Sequence, residues 1–435
     1  MLHGILIVVA FLIIAILMIT RKIPTLIALP VLALVICIIA GVPLVGKDEK
    51  GANIGFLHTV IESGATRMAA AYAAVIFGAW LGALMNQTGV TSAIIKKSAE
   101  LGGDRPFVVA IIMVVAVALL FTTLAGLGST IMVGSIALPI LVSVGIPALS
   151  AACIFLLAFA VGMCFNMSNW QTFVAIFNLE IDQVKQFEYF LIAATFIAAV
   201  ALVIVEFKKN GIKFSFAAPV KGEEESAEKQ LSGVSGIFAM LTPLVPILLV
   251  IIFKVPIIPA FFAGIIWILI FTFKGWSKAM NLLTKTCYDG ITNGAPAIIL
   301  MIGIGMLYMA VTNPLVKAVL NPFMLKVIPG TVVPYILFFI ILAPLALYRG
   351  PLNLFGLGSG IAALIMGLNT LPALAVMGAF LAAERIQVVG DPTNTQNVWT
   401  ANFVEVDVNA VTKKLLPYLW IVAAAGVIIS GIIYF

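Results

Sequence analysis

Residues Met163–Asn178 read MCFNMSNWQTFVAIFN, a polar stretch set between two hydrophobic runs. Its polar centre, SNWQT at 168–172, is called the first knot here. A similar pentamer, TNTQN at 393–397, is called the second knot, and the two are related by a numbering offset of 225. The same offset carries Pro-Ala-Leu at 147–149 onto Pro-Ala-Leu at 372–374. The sequence therefore predicts two copies of one unit, each with a polar break.

The composition is that of a membrane protein. Of the 435 residues, 63% are hydrophobic and only 10% are charged, whereas soluble domains contain about 45–50% apolar and about 25% charged residues. Many apolar runs approach the roughly 20 residues that a helix needs to cross a bilayer. The weak alternation of β-barrel strands is not seen. We therefore expect an all-α polytopic membrane protein with about 11–14 membrane segments.

Several functional classes are disfavoured by the sequence. The four cysteines are scattered, and neither they nor the two histidines form a cluster with metal-ligand spacing. The net charge of +6 fits the basic loops of a multi-pass protein in a bacterial inner or plasma membrane, and does not indicate nucleic-acid binding. No nucleophile–base pair or nucleotide motif is evident. We expect no enzyme and no cofactor, apart from Na⁺ as a coupling ion.

One charged stretch divides the chain into two parts. Residues 207–232 contain five lysines and four glutamates, which predicts a flexible cytoplasmic linker. The first membrane repeat is then expected at 1–206 and the second at 233–435. A unit with an odd number of crossings, repeated once, lies upside down relative to its copy, as in many secondary transporters. Outside the window 147–172 the sequence register drifts, so we expect diverged inverted repeats.

Apolar runs bounded by charge, Gly or Pro predict where the segments lie. The runs that matter for the site are Phe190–Glu206 in the first half and Pro351–Leu368 and Pro372–Gly390 in the second. Phe56–Arg67 is predicted to be a separate amphipathic piece. Broken helices or re-entrant hairpins are expected at the knots.

A polar break in a membrane helix persists only where it is buried in protein or lines a wet cavity. Its freed N–H groups suit a carboxylate, and its freed carbonyls suit Na⁺. The knot residues expected to bind substrate are Ser168, Asn169, Gln171, Thr393, Asn394, Thr395 and Gln396. A Na⁺ site is expected at Ser168, Asn169, Thr393 and Asn394. The alternative is that these residues only cap helices in an ordinary loop.

Each knot is preceded by a run rich in Gly, Ser and Thr, at 125–135 and 348–360. Ser129, Thr130 and Asn353 are the substrate-binding candidates in these runs, because each is a polar side chain close to a Gly or Pro. Close helix packing through small residues is the alternative.

Charges inside apolar runs are few. Each costs about 2.5–3.5 kcal/mol at mid-bilayer, so it usually faces a cavity or a partner. Glu384 and Asp391 are candidates for cation coupling, together with Asn166, which the offset of 225 pairs with Asp391. Arg349 and Arg385 are candidates for binding a substrate carboxylate. An internal Glu–Arg ion pair is the alternative, although neighbours i and i+1 do not face each other on a helix, so separate partners are expected.

These features resemble the ion-transporter superfamily, which includes citrate, gluconate, four-carbon dicarboxylate and divalent-anion permeases. Thr393-Asn394-Thr395 nearly matches the Ser-Asn-Thr signature of divalent-anion sodium symporters, and Ser168-Asn169-Trp170 departs from it at the third position. The resemblance implies a homodimer in which a mobile transport domain moves against a scaffold domain in an elevator-like motion. It also implies a small organic anion driven by Na⁺ or H⁺.

The sequence thus predicts a cation-coupled symporter for a small carboxylate such as citrate, gluconate or a dicarboxylate. The partners expected are this anion, Na⁺ or H⁺, the lipid bilayer and a second copy of the chain. The alternative is a sodium/proton antiporter without an organic substrate, in which the knots hold cations and Glu384 and Asp391 exchange protons.

Overall fold

The computed structural model of the protein describes residues 2–20, 22–212 and 233–435. Within these ranges the chain is helical, and its only β-type pairing is an isolated bridge between Lys47 and Asn53. Helices satisfy their own backbone hydrogen bonds, as a segment in lipid must. The predicted all-α fold is confirmed. The predicted linker 207–232 lies outside the described residues from 213 onward, and its first four residues belong to a helix that ends at Asn210.

The helices are numbered here in chain order. Those of the first half are α1 (Leu2–Ile19), α2 (Thr25–Ile39), a π-helix (Leu57–Glu62), α3 (Ser63–Thr66), α4 (Ala69–Gln87), α5 (Val90–Gly102), α6 (Pro106–Phe121), α7 (Gly126–Ser143), α8 (Ala148–Cys164), α9 (Met167–Phe177) and α10 (Ile181–Asn210). Those of the second half are α11 (Val234–Met240), α12 (Leu244–Ile251), α13 (Ile257–Thr272), α14 (Trp276–Thr312), α15 (Pro314–Val327), α16 (Val332–Leu342), a 3₁₀ helix (Ala343–Arg349), α17 (Gly358–Leu368), α18 (Ala373–Gly390), α19 (Thr395–Phe403) and α20 (Val408–Tyr434).

The protein is a multi-pass membrane protein with broken helices. In the described ranges, 8 helical segments are long and apolar enough to cross a membrane, or up to 10 if each bent pair counts as one span. The bent pairs are α8 with α9, at 60°, and α11 with α12, at 56°. Four shorter apolar helices of 10–17 residues are α2, α6, α13 and α17. The number of membrane segments falls in the predicted range of 11–14 only when these are counted as well.

The helix ends of the two halves keep a constant offset. α4 ends at Gln87 and α14 at Thr312, and α7 ends at Ser143 and α17 at Leu368, so both pairs are related by the offset of 225. α1 and α2 recur instead at an offset of 232, as α11–α12 and α13. The offset falls from 232 to 225 because the connection between α2 and the π-helix is longer than the connection between α13 and α14. The repeat therefore extends through the helix plan even where the sequence register drifts.

Reciprocal contacts relate the two halves by a two-fold arrangement. A Cβ on Gly78 of α4 would lie 3.1 Å from Phe261 of α13, and a Cβ on Gly303 of α14 would lie 3.2 Å from Leu29 of α2. Gly303 is the counterpart of Gly78 at the offset of 225, and Phe261 is that of Leu29 at 232. Contacts in which each partner exchanges roles are typical of two-fold symmetry. The helices α4 and α14 cross at the centre of this arrangement.

Three predicted boundaries differ from the structure. Residues Leu57–Gln87 form one continuous span of 31 residues, so Phe56–Arg67 is not a separate amphipathic piece. α10 begins nine residues before Phe190, because Gln183 Oε1 accepts a hydrogen bond from the Glu180 N–H at 3.0 Å and caps the helix. α17 begins only at Gly358, because the chain turns around the Asn353 side chain before it.

Candidate functional site

The first break lies between α8 and α9, at Phe165 and Asn166, and Asn166 organises it. Asn166 Oδ1 accepts hydrogen bonds from the N–H groups of Ser168 at 3.1 Å and Asn169 at 3.3 Å, which caps α9. Asn166 Nδ2 donates to the carbonyls of Phe121 and Leu124, both at 3.0 Å. One amide side chain therefore ties the start of α9 to the end of α6.

The first knot is packed against α4. Ser168 Oγ donates to the Ala74 carbonyl at 3.1 Å, and a Cβ on Gly78 would lie 2.9 Å from that hydroxyl. The Trp170 indole N–H donates to the Cys164 carbonyl at 2.7 Å, and the ring is 0% exposed. Trp170, the position at which the first knot differs from Ser-Asn-Thr, thus fills the break, and its indole N–H provides a donor for the carbonyl at the end of α8.

The second break, Asp391–Asn394, lies between α18 and α19 and is organised by Asp391. Its Oδ1 accepts from Thr393 N at 2.8 Å and Thr393 Oγ1 at 2.7 Å. Its Oδ2 accepts from Arg349 N at 3.2 Å and Asn353 Nδ2 at 3.4 Å. Asn353 also donates to the Ala346 carbonyl at 3.1 Å. Asp391 therefore ties the second break to the turn that precedes α17.

The amides of the second knot close the last turn of α18. Asn394 Nδ2 donates to the Gln387 carbonyl at 2.7 Å, and Gln396 Nε2 donates to the Val388 carbonyl at 3.3 Å. Asn397 Nδ2 donates to the Asp391 carbonyl at 2.9 Å. These contacts satisfy carbonyls that the break would otherwise leave unpaired.

The two predicted arginines have different surroundings. Arg349 is half-buried, and its Nη1 donates to the Phe355 carbonyl at 3.3 Å, the only acceptor that the described residues offer its guanidinium. It adopts a left-handed backbone conformation, with φ of 59°, and so does Tyr348 before it, with φ of 55°. The turn therefore holds the Arg349 N–H on Asp391 while the guanidinium remains free of any ion pair within the described chain.

Arg385, in contrast, is 0% exposed, and both of its terminal nitrogens have contacts while its Nε has no hydrogen-bond partner among the described residues. Its guanidinium contacts the Glu384 carboxylate and the Cys164 Sγ, and its Nη2 lies 3.7 Å from Glu188 Oε1. The expectation that Glu384 and Arg385 have separate partners was wrong. The long arginine side chain folds back onto the neighbouring carboxylate, which the spacing rule for helix faces does not consider.

Ser129 and Thr130 lie in the first turns of α7 and are buried. Thr130 Oγ1 donates to the Gly126 carbonyl at 3.1 Å. A Cβ on Gly128 would lie 2.9 Å from Oδ1 of Asn293, an exposed residue of α14. The start of α7 therefore lies against α14, and Asn293 is a neighbour of the site that the sequence did not indicate.

The predicted residues form two clusters. Arg349, Asn353, Asp391 and Thr393 share one hydrogen-bond network, and Asn166, Ser168 and Asn169 share another. The rings of Phe173 on α9 and Phe355 before α17 lie 6.4 Å apart and link the two. No hydrogen bond between described residues joins Ser168 or Asn169 to the second knot. The four-residue Na⁺ site, and the half-buried Gln171, stay predictions.

The halves differ in how each knot packs on its central helix. Ala74 of α4 is 0% exposed beneath Ser168, whereas its counterpart Ile299 of α14 is 49% exposed. Trp170 is buried, whereas its counterpart Thr395 is exposed. The first knot is therefore packed closely on α4, whereas Thr395 of the second knot and the corresponding position of α14 are both uncovered by other described residues.

Two charged groups within the helix packing, the buried Glu188 and the half-buried Lys414, were not predicted from the sequence. Glu188 lies two residues before the predicted start of its span, and the Glu180–Gln183 capping pair is the signal that could have placed it inside. Lys414 Nζ donates to Glu206 Oε2 at 2.6 Å and ties α20 to α10. This ion pair joins the end of α10 to the start of α20.

The fold is that of known membrane transporters. The crystal structure of the Alcanivorax borkumensis YdaH transporter matches with a TM-score of 0.60 and 14% identity, over 93% of this chain and 97% of that one. Neisseria gonorrhoeae MtrF, described as illuminating a class of antimetabolite efflux pumps, matches with a TM-score of 0.58 and 12% identity, over 94% and 95%. No protein-family model and no curated protein matches the chain. Membership of the ion-transporter superfamily stays a prediction.

Proposed function

We propose that the protein is a secondary active transporter that moves a small organic anion in symport with Na⁺ or H⁺. The observation that carries the proposal is Arg349: a half-buried guanidinium at a helix break, with one carbonyl as its acceptor and no ion pair in the described ranges. Asp391 lies close enough to act electrostatically on this guanidinium, but its oxygens accept hydrogen bonds from the Arg349 backbone N–H and from Asn353 and Thr393 instead. A substrate carboxylate supplies the hydrogen-bonded anionic partner that the guanidinium lacks among the described residues.

The remaining knot groups complete an anion site in this proposal. Thr393 and Gln396 are partly exposed and Thr395 is exposed, all beside the N-terminus of α19. The first N–H groups of a helix and the positive end of its dipole favour an anion. A substrate carboxylate between Arg349 and this helix end meets both kinds of donor.

The exposed residues at the second knot and the close packing at the first suit alternating access. In this proposal the knots take turns: one is closed onto its central helix while the other is open to water. The elevator-like motion, the homodimer and the range of citrate, gluconate and dicarboxylates come from the family resemblance and belong to the proposal as well.

Efflux of the anion is a direction compatible with the same site, since MtrF is described among antimetabolite efflux pumps. A sodium/proton antiporter is the second candidate function. It is favoured by the buried carboxylates of Glu188 and Glu384, which bind protons or cations without any organic ligand.

Counterflow separates these candidates. Proteoliposomes are preloaded with unlabelled citrate, gluconate or succinate, and the entry of the same labelled anion is followed without any cation gradient. An anion carrier accelerates entry of at least one label relative to liposomes loaded with buffer. An antiporter accelerates none, and instead changes the internal pH when Na⁺ is added outside.

A further inference from the structure

Glu188, Glu384 and Arg385 form a charged cluster in the protein interior, called the buried triad here. Glu188 lies on α10 of the first half, and Glu384 and Arg385 lie on α18 of the second. All three side chains are 0% exposed. Arg385 Nη2 contacts the Glu384 carboxylate and lies 3.7 Å from Glu188 Oε1. Two carboxyl groups therefore share one guanidinium nitrogen.

The charges of the triad do not balance if both carboxyl groups are ionised. A guanidinium keeps its proton in proteins, so the triad holds one positive charge. Two carboxylates would leave an unpaired negative charge in the membrane interior, where an uncompensated buried ion is strongly unfavourable. Carboxyl groups that share a site therefore retain a proton between them. The triad has no net charge when one of its two carboxyl groups is protonated.

The contacts favour Glu188 as that acid. Glu384 touches the guanidinium directly, as an ionised partner does. Neither oxygen of Glu188 has a hydrogen-bond partner within the part of the chain that the structure describes. An ionised carboxylate without donors is costly in a dry interior, and the neutral acid is much less so.

No second cation among the described residues is paired with Glu188: Lys185, three residues earlier on α10, is paired with Asp182 at 2.6 Å, and the other elements packed on α10 bring none. From α8 comes Cys164, whose Sγ contacts Arg385 Nη1. Glu206, further along α10, is paired with Lys414 at 2.6 Å. The remaining contacts on α10 are Trp170 of α9 on Tyr189, Gly426 of α20 on Leu191, and Phe107 of α6 on Phe207.

The triad contacts the helix end at the first break and lies on the helix that leads to the second. Cys164, which contacts Arg385, is the last residue of α8, and its carbonyl accepts the Trp170 indole N–H of α9. Arg385 lies six residues before Asp391 on the helix that ends at the second break. A change of charge at Glu188 therefore acts, through Arg385, on Cys164 at the first break and on α18, the helix that ends at the second.

We propose that the buried triad is the proton-coupling site and that Glu188 binds the transported H⁺. The inference rests on the proposed function and specifies H⁺ as its coupling ion. In this conformation the proton is occluded and the triad is neutral, so the helices that carry it move without an unpaired charge. When the motion admits water from the other side, the Glu188 acid transfers its proton to that water and becomes a carboxylate.

Infrared spectroscopy tests the proton directly, without any substrate. The purified wild type has a carbonyl stretching band of a protonated carboxylic acid that shifts in D₂O only after slow exchange. Glu188→Gln removes that band, and Glu100→Gln, a change at the exposed carboxylate paired with Lys97, leaves it. A band that survives in Glu188→Gln overturns the proton site.

Transport measurements test whether Glu188 couples the movement of protons to the movement of the anion. With the membrane potential held at zero, one coupled proton sustains about a tenfold accumulation of anion under a gradient of one pH unit. For whichever of labelled citrate, gluconate or succinate the wild type carries, Glu188→Gln retains counterflow but loses this accumulation. Glu188→Asp, which keeps a carboxyl group, retains accumulation, so loss of folding and loss of coupling are distinguished.

The outcomes separate this inference from the proposed function. Accumulation by Glu188→Gln equal to wild type, or wild-type accumulation that requires Na⁺ and ignores the pH gradient, overturns the proton site while the anion carrier stands. If the wild type moves none of the three anions in counterflow, the proposed function fails, and the infrared band alone decides whether Glu188 binds a proton.

Discussion

Asn166 and Asp391 are counterparts at the offset of 225, and each accepts a hydrogen bond from the N–H two residues later, but their other polar atoms have opposite roles. Asn166 donates to the carbonyl of Leu124, and Asp391 accepts from the N–H of Arg349, which is the counterpart of Leu124 at the same offset. The Asn166 amide N–H suits a preceding segment that presents carbonyls, and the second carboxylate oxygen of Asp391 suits one that presents the Arg349 N–H. This difference places a carboxyl group and an arginine together at the second break only.

Replacing Asn166 tests whether its side chain holds the first break together. Asn166→Ala uncaps α9 and leaves the buried Phe121 and Leu124 carbonyls without a donor, so we expect the free energy of unfolding to fall by about 2–4 kcal/mol. Thermal unfolding in detergent, followed by intrinsic fluorescence, measures the change in midpoint. Asn409→Ala, at an exposed position of α20, is the matched control. Equal midpoints for the two variants would show that Asn166 does not hold the break.

Replacing Arg349 tests the anion site. Arg349→Gln removes a charged donor worth about 1.5–3 kcal/mol, so we expect the KM for the anion to rise about tenfold to a hundredfold. Arg349→Lys retains the charge but not the planar fork, and should lie in between. Counterflow rates at varied anion concentration give the KM values. Arg105→Gln, at an exposed arginine before α6, is the control. An unchanged KM in Arg349→Gln would rule out contact between this side chain and the substrate.

Cysteine pairs test alternating closure of the knots. A Cβ on Gly78 would lie 2.9 Å from Ser168 Oγ, so Gly78→Cys with Ser168→Cys should form a disulfide in the present conformation. Oxidation is expected to stop counterflow, and reduction to restore it. The counterpart pair, Gly303→Cys with Thr393→Cys, should cross-link only when the second knot closes. Each single variant serves as the control for oxidation, and cross-linking of both pairs at once in one molecule would contradict alternation.

Glycine where α14 crosses α3 is expected to be required. A Cβ on Gly305 would lie 2.2 Å from the Gly64 carbonyl oxygen, a contact between backbones that no side-chain rotation relieves. Gly305→Ala should therefore cost about 1–3 kcal/mol of stability. Gly330→Ala, where a Cβ meets nothing within 4 Å, should leave the unfolding midpoint unchanged or slightly raised. If both variants unfold at the same temperature, the crossing is looser than the structure indicates.

The sequence predicted the membrane class, the helical fold and the presence of broken helices, although the first knot itself lies in α9 and the break precedes it at Phe165 and Asn166. These follow from apolar runs and from polar residues where a lipid-facing helix cannot hold them, which are local signals. Asn166 and Asp391 were singled out because the offset of 225 pairs them. The fixed offset of the helix plan was visible in the sequence only around residues 147–172, because apolar residues replace one another freely on lipid-facing surfaces.

The buried triad could not be read from the sequence. Glu188 and Arg385 lie in different halves of the chain, and their contact depends on the packing of α10 on α18. The unequal packing of the knots is equally hidden, because it belongs to the conformation and not to either helix. Arg385 was expected to face substrate. Because it is buried beside two carboxyl groups, Arg349 is the accessible one of the two candidate arginines.

Concentrative uptake by the wild type tests the central claim most directly. Proteoliposomes are given labelled citrate, gluconate or succinate under an inward proton gradient, an inward Na⁺ gradient, or neither. A cation-coupled anion transporter accumulates at least one label above its external concentration with one of the two gradients, and only equilibrates it without a gradient. A change of internal pH on Na⁺ addition, with no uptake of any of the three anions, would contradict the account.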